Sequence, residues 1–230
     1  MYRRDNRSFV IRTARMSPHQ RNAYEQMRGT YCVSSDGAID IFSVFPHRRE
    51  TDARPLILEL GFGMGDALAQ TAEDQPQWDF LGVEVHKPGV GKLMGEIKKK
   101  ALSNLRIVEG DAVEILSDRL PGRSFSGIHI FFSDPWPKKR HHKRRMIRSG
   151  FPELVAPLLV PGGYVYIVTD WEDYAIQICD VFDTTTAFEN QGEGYTYRRP
   201  WRRETAFERK GIAQGHRIYE IYRSIPLSSQ

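Results

Sequence analysis

Between residues 59 and 66 the chain reads Glu59-Leu60-Gly61-Phe62-Gly63-Met64-Gly65-Asp66, three alternating glycines bracketed by two acids. Glycine tolerates left-handed backbone and puts no Cβ between main chain and ligand. Gly61, Gly63 and Gly65 are therefore expected to form a tight turn against a bound molecule. A pyrophosphate turn carries its third glycine one place later and offers a helix N-terminus to the anion. Glu59 and Asp66 would repel a phosphate and suit a cationic amino group instead. Glu84 closes a second apolar run and is suited to the two hydroxyls of a ribose. Asp111, in Glu109-Gly110-Asp111-Ala112, is placed to accept from an adenine amino group, or to cap a following helix, or both. The common denominator is a cationic, phosphate-free nucleoside, and S-adenosylmethionine has those features.

A different chemistry is offered by Ser133-Asp134-Pro135-Trp136-Pro137. Two prolines stiffen the chain where a strand stops, since neither can continue a ladder. That holds Asp134 and Trp136 at the rim beside a transferable methyl group. The motif resembles the (D/N)PP(Y/F) signature of enzymes that methylate exocyclic amino groups of bases, except that Trp136 stands at the second proline. Directly after it, residues 138–148 hold seven Lys or Arg and no acid. Lys138, Arg140, Lys143, Arg144 and Arg145, with His141 among them, form a candidate phosphate track. Residues 1–28 carry a net +5, leaving the chain outside these two segments net −8. Arg198, Arg199, Arg202 and Arg203 around Trp201 make a third basic patch. An acidic body with concentrated basic segments points to nucleic acid.

The elements that must position these residues alternate regularly. Strands are expected at 56–60, 80–85, 105–108, 128–132, 164–169 and 216–223. Helices are expected at 66–73, 90–102, around 115–116, at 143–159 and at 171–182, with Pro161-Gly162-Gly163 stopping the fourth. Residues 37–45 could be a short strand, and 18–27 a helix within a polar N-terminal arm. Such alternation demands an α/β, Rossmann-like fold: a mostly parallel twisted sheet of about seven strands, helices on both faces and right-handed crossovers. Ligands of such sheets sit beyond the carboxyl ends of the strands, where the three acids fall. Residues 1–50 read as a basic arm and 51–230 as one S-adenosylmethionine-dependent domain.

Taken together, the Gly61–Gly65 turn, Glu84-Val85-His86, Phe132-Ser133-Asp134-Pro135-Trp136-Pro137 with its basic tail, Val168-Thr169-Asp170 and Thr205-Ala206-Phe207-Glu208 resemble the bacterial tRNA (guanine-N7-)-methyltransferase family. The resemblance runs from about Pro55 to Arg223. It implies methyl transfer from S-adenosylmethionine, leaving S-adenosylhomocysteine, to N7 of the guanine at position 46 in the tRNA variable loop. It implies cofactor contacts at Glu59, Glu84 and Asp111, an active-site role for Asp134 close to the cofactor, and substrate contacts at Lys138, Asp170, Thr205, Ala206, Phe207 and Glu208. Either Asp134 or Glu208 is suited to hold the guanine.

Rival readings are a base amino-group methyltransferase, a non-catalytic RNA-binding protein and a nicotinamide-dependent oxidoreductase. Trp136 with its basic tail, the intact acids and the glycine spacing argue against each in turn. His141 and His142 have no cysteine or acid near them in sequence, so no metal is expected. Two distant cysteines, no signal-like N-terminus and no apolar run of about 20 residues predict a cytoplasmic protein without a membrane anchor. No obligatory protein partner is evident.

Overall fold

The computed structural model describes residues 15–34, 37–49, 54–190 and 194–227. The first 14 residues of the predicted arm lie outside the described residues. The chain divides into two compact units, one holding described residues up to 121 together with 201–203, the other holding 122–200 and 204–227.

In the first unit, helix α1 (Pro18–Tyr31) leads into β1 (Cys32–Val33), and α2 (Ile41–Val44) follows. Then β2 (Leu56–Leu60), α3 (Asp66–Asp74), β3 (Asp79–Glu84), α4 (Lys87–Lys99), β4 (Leu105–Glu109) and α5 (Ala112–Asp118) alternate as the sequence predicts. The strands lie in the order β1-β4-β3-β2, all parallel. Both β2 and β3 are buried along their whole length, which is why, their acids apart, they read as apolar runs rather than alternating ones. The predicted strand at 37–45 is instead the helical turn α2. Asp40 caps it, its carboxylate accepting from Phe42 N (3.0 Å) and Ser43 Oγ (2.6 Å), and this local capping overrides the apolar alternation.

Helix α1 starts in a capping box, in which Ser17 and Gln20 satisfy each other's backbone N–H groups. It packs on α4 at Gly91, where an added Cβ would stand 2.5 Å from the carbonyl oxygen of Gln20. The described helix of the predicted arm thus packs directly on α4. At the opposite ends of the strands, fully buried Asp79 accepts from Arg48 (2.6 Å), His47 (2.9 Å) and Arg54 (3.0 Å). Nearby, Trp201 meets Trp78 edge-on at 5.4 Å, and Arg203 pairs with Asp74.

The second unit runs β5 (Phe125–Phe131), α6 (Phe151–Val155), β6 (Leu159–Thr169), α7 (Glu172–Asp183), β7 (Glu189–Asn190), α8 (Ala206–Ala213) and β8 (Tyr219–Ser224). Its strands lie in the order β5-β6-β8-β7, with β5 and β6 parallel and β8 antiparallel to both neighbours. The single helix predicted at 143–159 is broken. A 3-10 turn covers Lys139–Arg144, Gly150 takes a left-handed φ of 84°, and α6 begins only at Phe151. The predicted stop at Pro161-Gly162-Gly163 lies inside β6. The register against β5 slips between Phe125 and Gly127, and this irregularity absorbs the residues that cannot pair. Eight strands occur among the described residues, the two short ones, β1 and β7, being those that sequence alternation did not signal. Among those residues no helix is long and apolar enough to cross a membrane.

Asp79→Ala should destabilise the protein by about 3–5 kcal/mol, the cost of breaking its ion pairs with Arg48 and Arg54 by removing the buried partner. Urea unfolding should show a lower midpoint with unchanged slope. A loss below about 1 kcal/mol would mean that Arg48, Arg54 and His47 are satisfied without it.

Candidate functional site

The acids predicted to bind a nucleoside lie at the carboxyl ends of three adjacent parallel strands of the first unit. Glu59 pairs in register with Gly82, and Glu84 with Glu109, two residues before Asp111. The glycine turn follows β2 directly. Gly61, Gly63 and Gly65 all have positive φ (74°, 60° and 77°), a conformation that favours glycine over any residue with a Cβ. Helix α4 presses on the turn at Gly89, where a Cβ would lie 1.8 Å from the carbonyl oxygen of Gly63. Asp66 at the start of α3 pairs with Lys92 of α4 at 2.5 Å.

Glu84 is buried, and its carboxylate accepts three backbone N–H bonds: Gly63 to Oε2 at 2.7 Å, Val85 to Oε1 at 2.7 Å and His86 to Oε1 at 2.9 Å. Each carboxylate oxygen takes about two donors. Oε1 is therefore filled, and Oε2 keeps room for one further donor, one ribose hydroxyl rather than the two suggested by the sequence. Asp111 caps α5, accepting from Val113 N at 2.9 Å. The capping role and the strand-end position coincide.

Glu59 is buried, and among the described residues no cation pairs with it. Burial pushes its carboxyl up to about 8. A buried carboxyl beside a glycine turn, its ionisation held back only by desolvation, is matched to an incoming cation. These residues fit the amino-acid end of S-adenosylmethionine.

In the second unit the Asp134 segment is held in an unusual backbone. Phe132 and Trp136, on either side of Ser133-Asp134-Pro135, have left-handed φ values of 54° and 46°. Neither is glycine, and such strain persists only where surroundings enforce it. Asp134 is exposed and Trp136 half-buried. The guanidinium of Arg144 covers one face of the indole at 5.0 Å, and His141 meets it edge-on at 5.8 Å. Partial burial and the surrounding cations Arg140, Arg144, Lys138 and Lys143 lower the pKa of His141.

The basic run does not behave as one track. Lys138, Arg140 and Lys143 are exposed. Arg145 is fully buried: it donates to Pro135 O (2.7 Å), Gln177 Oε1 (2.6 Å) and Asp173 Oδ2 (2.5 Å). It is corrected from phosphate ligand to internal brace. The patch at 198–203 is likewise divided, with Arg198 and Arg203 exposed. Arg202 is buried, Arg199 lies over Tyr222 at 4.2 Å, and Arg203 is held by Asp74. Asp170 accepts from or pairs with His216 at 2.9 Å. Glu208 is buried at the third position of α8, capping Thr205 and meeting Arg198 at 3.4 Å. Ala206 and Phe207 begin the same helix, with Phe207 exposed.

Sequence reasoning missed Tyr174, Gln177 and Asp173 as supports of the Asp134 segment. Their spacing on α7, with Asp173 and Gln177 one turn apart, was the signal that could have found them.

Residues 53–221 match a family model described as "Putative methyltransferase". The chain is 44% identical over 216 residues to the tRNA (guanine-N(7)-)-methyltransferase of Nitrosomonas europaea, covering 94% of each protein. It is 44% identical to that of Chromobacterium violaceum, covering 96% of each, and 41% to that of Nitrosospira multiformis, covering 94% of this chain and 92% of the relative. Among solved structures, the 16S rRNA methyltransferase KamB shares the fold at a TM-score of 0.54 and 14% identity, covering 94% of this chain and 96% of that one.

The raised pKa of Glu59 has a definite sign for stability. The native state keeps this proton between the unfolded value near 4.5 and about 8, so stability falls as pH rises through that window, by up to about 1.4 kcal/mol per unit. Glu59→Gln should flatten this part of the profile and leave the ligand-free protein at least as stable at pH 8. A variant with the wild-type slope would show that another group carries it.

Proposed function

The chain belongs to the tRNA (guanine-N(7)-)-methyltransferase family, and from that membership we infer that it transfers the methyl group of S-adenosylmethionine to N7 of a guanine in tRNA. The observation that carries this is 41–44% identity spanning more than nine-tenths of both proteins in several relatives of that one named activity. Within it, we take residues 51–230 as one catalytic domain, the first 50 residues as an appended basic arm, guanine 46 of the variable loop as the acceptor and the cytoplasm as the place of action.

When bound, S-adenosylmethionine supplies an electrophilic sulfonium methyl. On this reading Glu59 ionises to meet the amino group, Glu84 takes a ribose hydroxyl on Oε2, Asp111 faces the adenine, and Gly61, Gly63 and Gly65 leave room for close approach. Guanine N7 carries an in-plane lone pair, so no proton has to leave before attack and no strong base is needed. Orientation then dominates the rate, and near-attack geometry is worth several kcal/mol, within a ceiling of about 7–11.

A carboxylate accepts from guanine N1–H and the exocyclic amine together, orienting the base and opposing the positive charge that develops on the ring. Adenine lacks this donor pair, so the same contact discriminates. We assign the role to Asp134 rather than Glu208. Asp134 is exposed on its strained turn, whereas Glu208 is buried in the cap of α8. Trp136 offers an aromatic surface for the base, while Lys138, Arg140 and Lys143 hold phosphates. Asp170 and the segment from Thr205 to Glu208 bound the substrate side.

Incubation with labelled S-adenosylmethionine and bulk tRNA, followed by nucleoside mapping, should yield N7-methylguanine. N6-methyladenine or no labelled nucleoside would overturn the assignment. Asp134→Asn should lose about 10²-fold or more in transfer while still binding cofactor. Transfer near the wild-type rate would remove Asp134 from the guanine site. Replacing Lys138, Arg140 and Lys143 by Ala should weaken tRNA binding and reduce its salt slope by about 1 for every phosphate no longer neutralised. An unchanged slope would exclude them as the phosphate track.

A further inference from the structure

Two side chains hold the segment on either side of Asp134, one through its backbone and one through a side chain. After it, Arg145 Nε donates to the carbonyl of Pro135 at 2.7 Å. Before it, Ser133 Oγ donates to the hydroxyl of Tyr174 at 3.4 Å, and that hydroxyl also accepts from Ile147 N at 3.2 Å. Arg145 and Tyr174 are both fully buried, and the guanidinium lies over the tyrosine ring at 4.9 Å. The remaining guanidinium nitrogens reach α7, Nη1 to Gln177 at 2.6 Å and Nη2 to Asp173 at 2.5 Å. Gln177 in turn donates to Ile147 O at 2.9 Å. The segment thus braced contains the two left-handed residues Phe132 and Trp136.

We propose that Arg145 is a positioning residue for methyl transfer, which with Tyr174 forms a buried clamp fixing the turn that presents Asp134. The inference rests on Asp134 being the guanine-holding carboxylate. Only a guanidinium serves here. Its planar fork puts separate nitrogens on Pro135, Gln177 and Asp173, and a lysine ammonium on a flexible stem cannot span the three. A strained turn relaxes unless its surroundings over-determine it, and a carboxylate displaced by about 1 Å loses about 10²-fold in rate. Burial removes Arg145 from phosphate, so its role separates cleanly from that of Lys138, Arg140 and Lys143.

The test is single-turnover methylation at saturating tRNA and S-adenosylmethionine, beside equilibrium binding of each. Arg145→Lys should lower the single-turnover rate about 10–100-fold. S-adenosylmethionine affinity and tRNA Kd should stay within about twofold, with the salt slope of tRNA binding unchanged. The double variant Arg145→Lys, Asp134→Asn should lose no more than Asp134→Asn alone, because both changes remove one function.

A rate within about twofold of wild type, a salt slope reduced by about 1, or multiplicative losses in the double variant would each overturn the proposal. Asp134→Asn with full activity would instead sink the underlying assignment, a separately visible result. Should Arg145→Lys fail to fold, Tyr174→Phe keeps the ring beneath the guanidinium and removes only the hydroxyl. A rate loss of at least about threefold is then expected with binding intact, and no loss would overturn the clamp.

Discussion

Where a parallel strand ends, its last N–H and C=O groups lose the neighbouring ladder, yet they are still buried and must be paired. In the first unit that burden falls on Glu84. One buried carboxylate accepts from Gly63 in the turn after β2 and from Val85 and His86 in the turn after β3. It ties together the turns after β2 and β3, and α4 starts from the second of them. Gly89 then lets α4 close against Gly63 with no side chain between. The glycine turn and the start of α4 are thus fixed to one another through a single buried carboxylate and one close backbone approach.

The second unit solves the same problem with the opposite charge. Buried Arg145 takes up the carbonyl of Pro135 and carries the connection to Asp173 and Gln177 of α7. Asp173 is mostly solvent-exposed, and its hydrogen bond from Arg145 lowers its pKa. It keeps Arg145 matched by a carboxylate at neutral pH, so the cost of burying a cation is offset. On the proposed assignment of Asp134, and with an attacking nitrogen that needs no deprotonation, a rigid turn is the relevant catalytic asset. Both units use a buried ionic group to set backbone geometry rather than to join a neighbouring strand.

Much of the fold was legible because β2, β3, β4 and β5 are short apolar runs punctuated by glycine or acids, and such runs have few alternatives once helices alternate with them. The misreadings have specific causes. Residues 37–45 alternate like a strand, but the Asp40 cap is worth more locally than a pattern with no partner strand. The stretch 143–159 has helical composition, but Gly150, Pro152 and Pro157 interrupt it. Pro161-Gly162-Gly163 is a loop signature that a bulge in β6 can absorb.

By itself the sequence determined what is local: a turn that favours glycine at 61, 63 and 65, acids at three successive strand ends, a stiff Asp134-Pro135-Trp136-Pro137 segment, and enough motif identity to indicate the family. Tertiary structure decided what depends on burial and on distant partners. Lys143, Arg144 and Arg145 are neighbours with the same charge, yet one is exposed, one lies over Trp136 and one is sealed against α7. Glu59 and Glu84 are the same residue type at the ends of adjacent strands. Among the described residues one has no cation beside it and holds its proton to about 8, and the other is saturated with backbone donors on one oxygen and half-filled on the other. Desolvation and hydrogen-bond partners are set by residues remote in sequence, and no spacing along the chain encodes them.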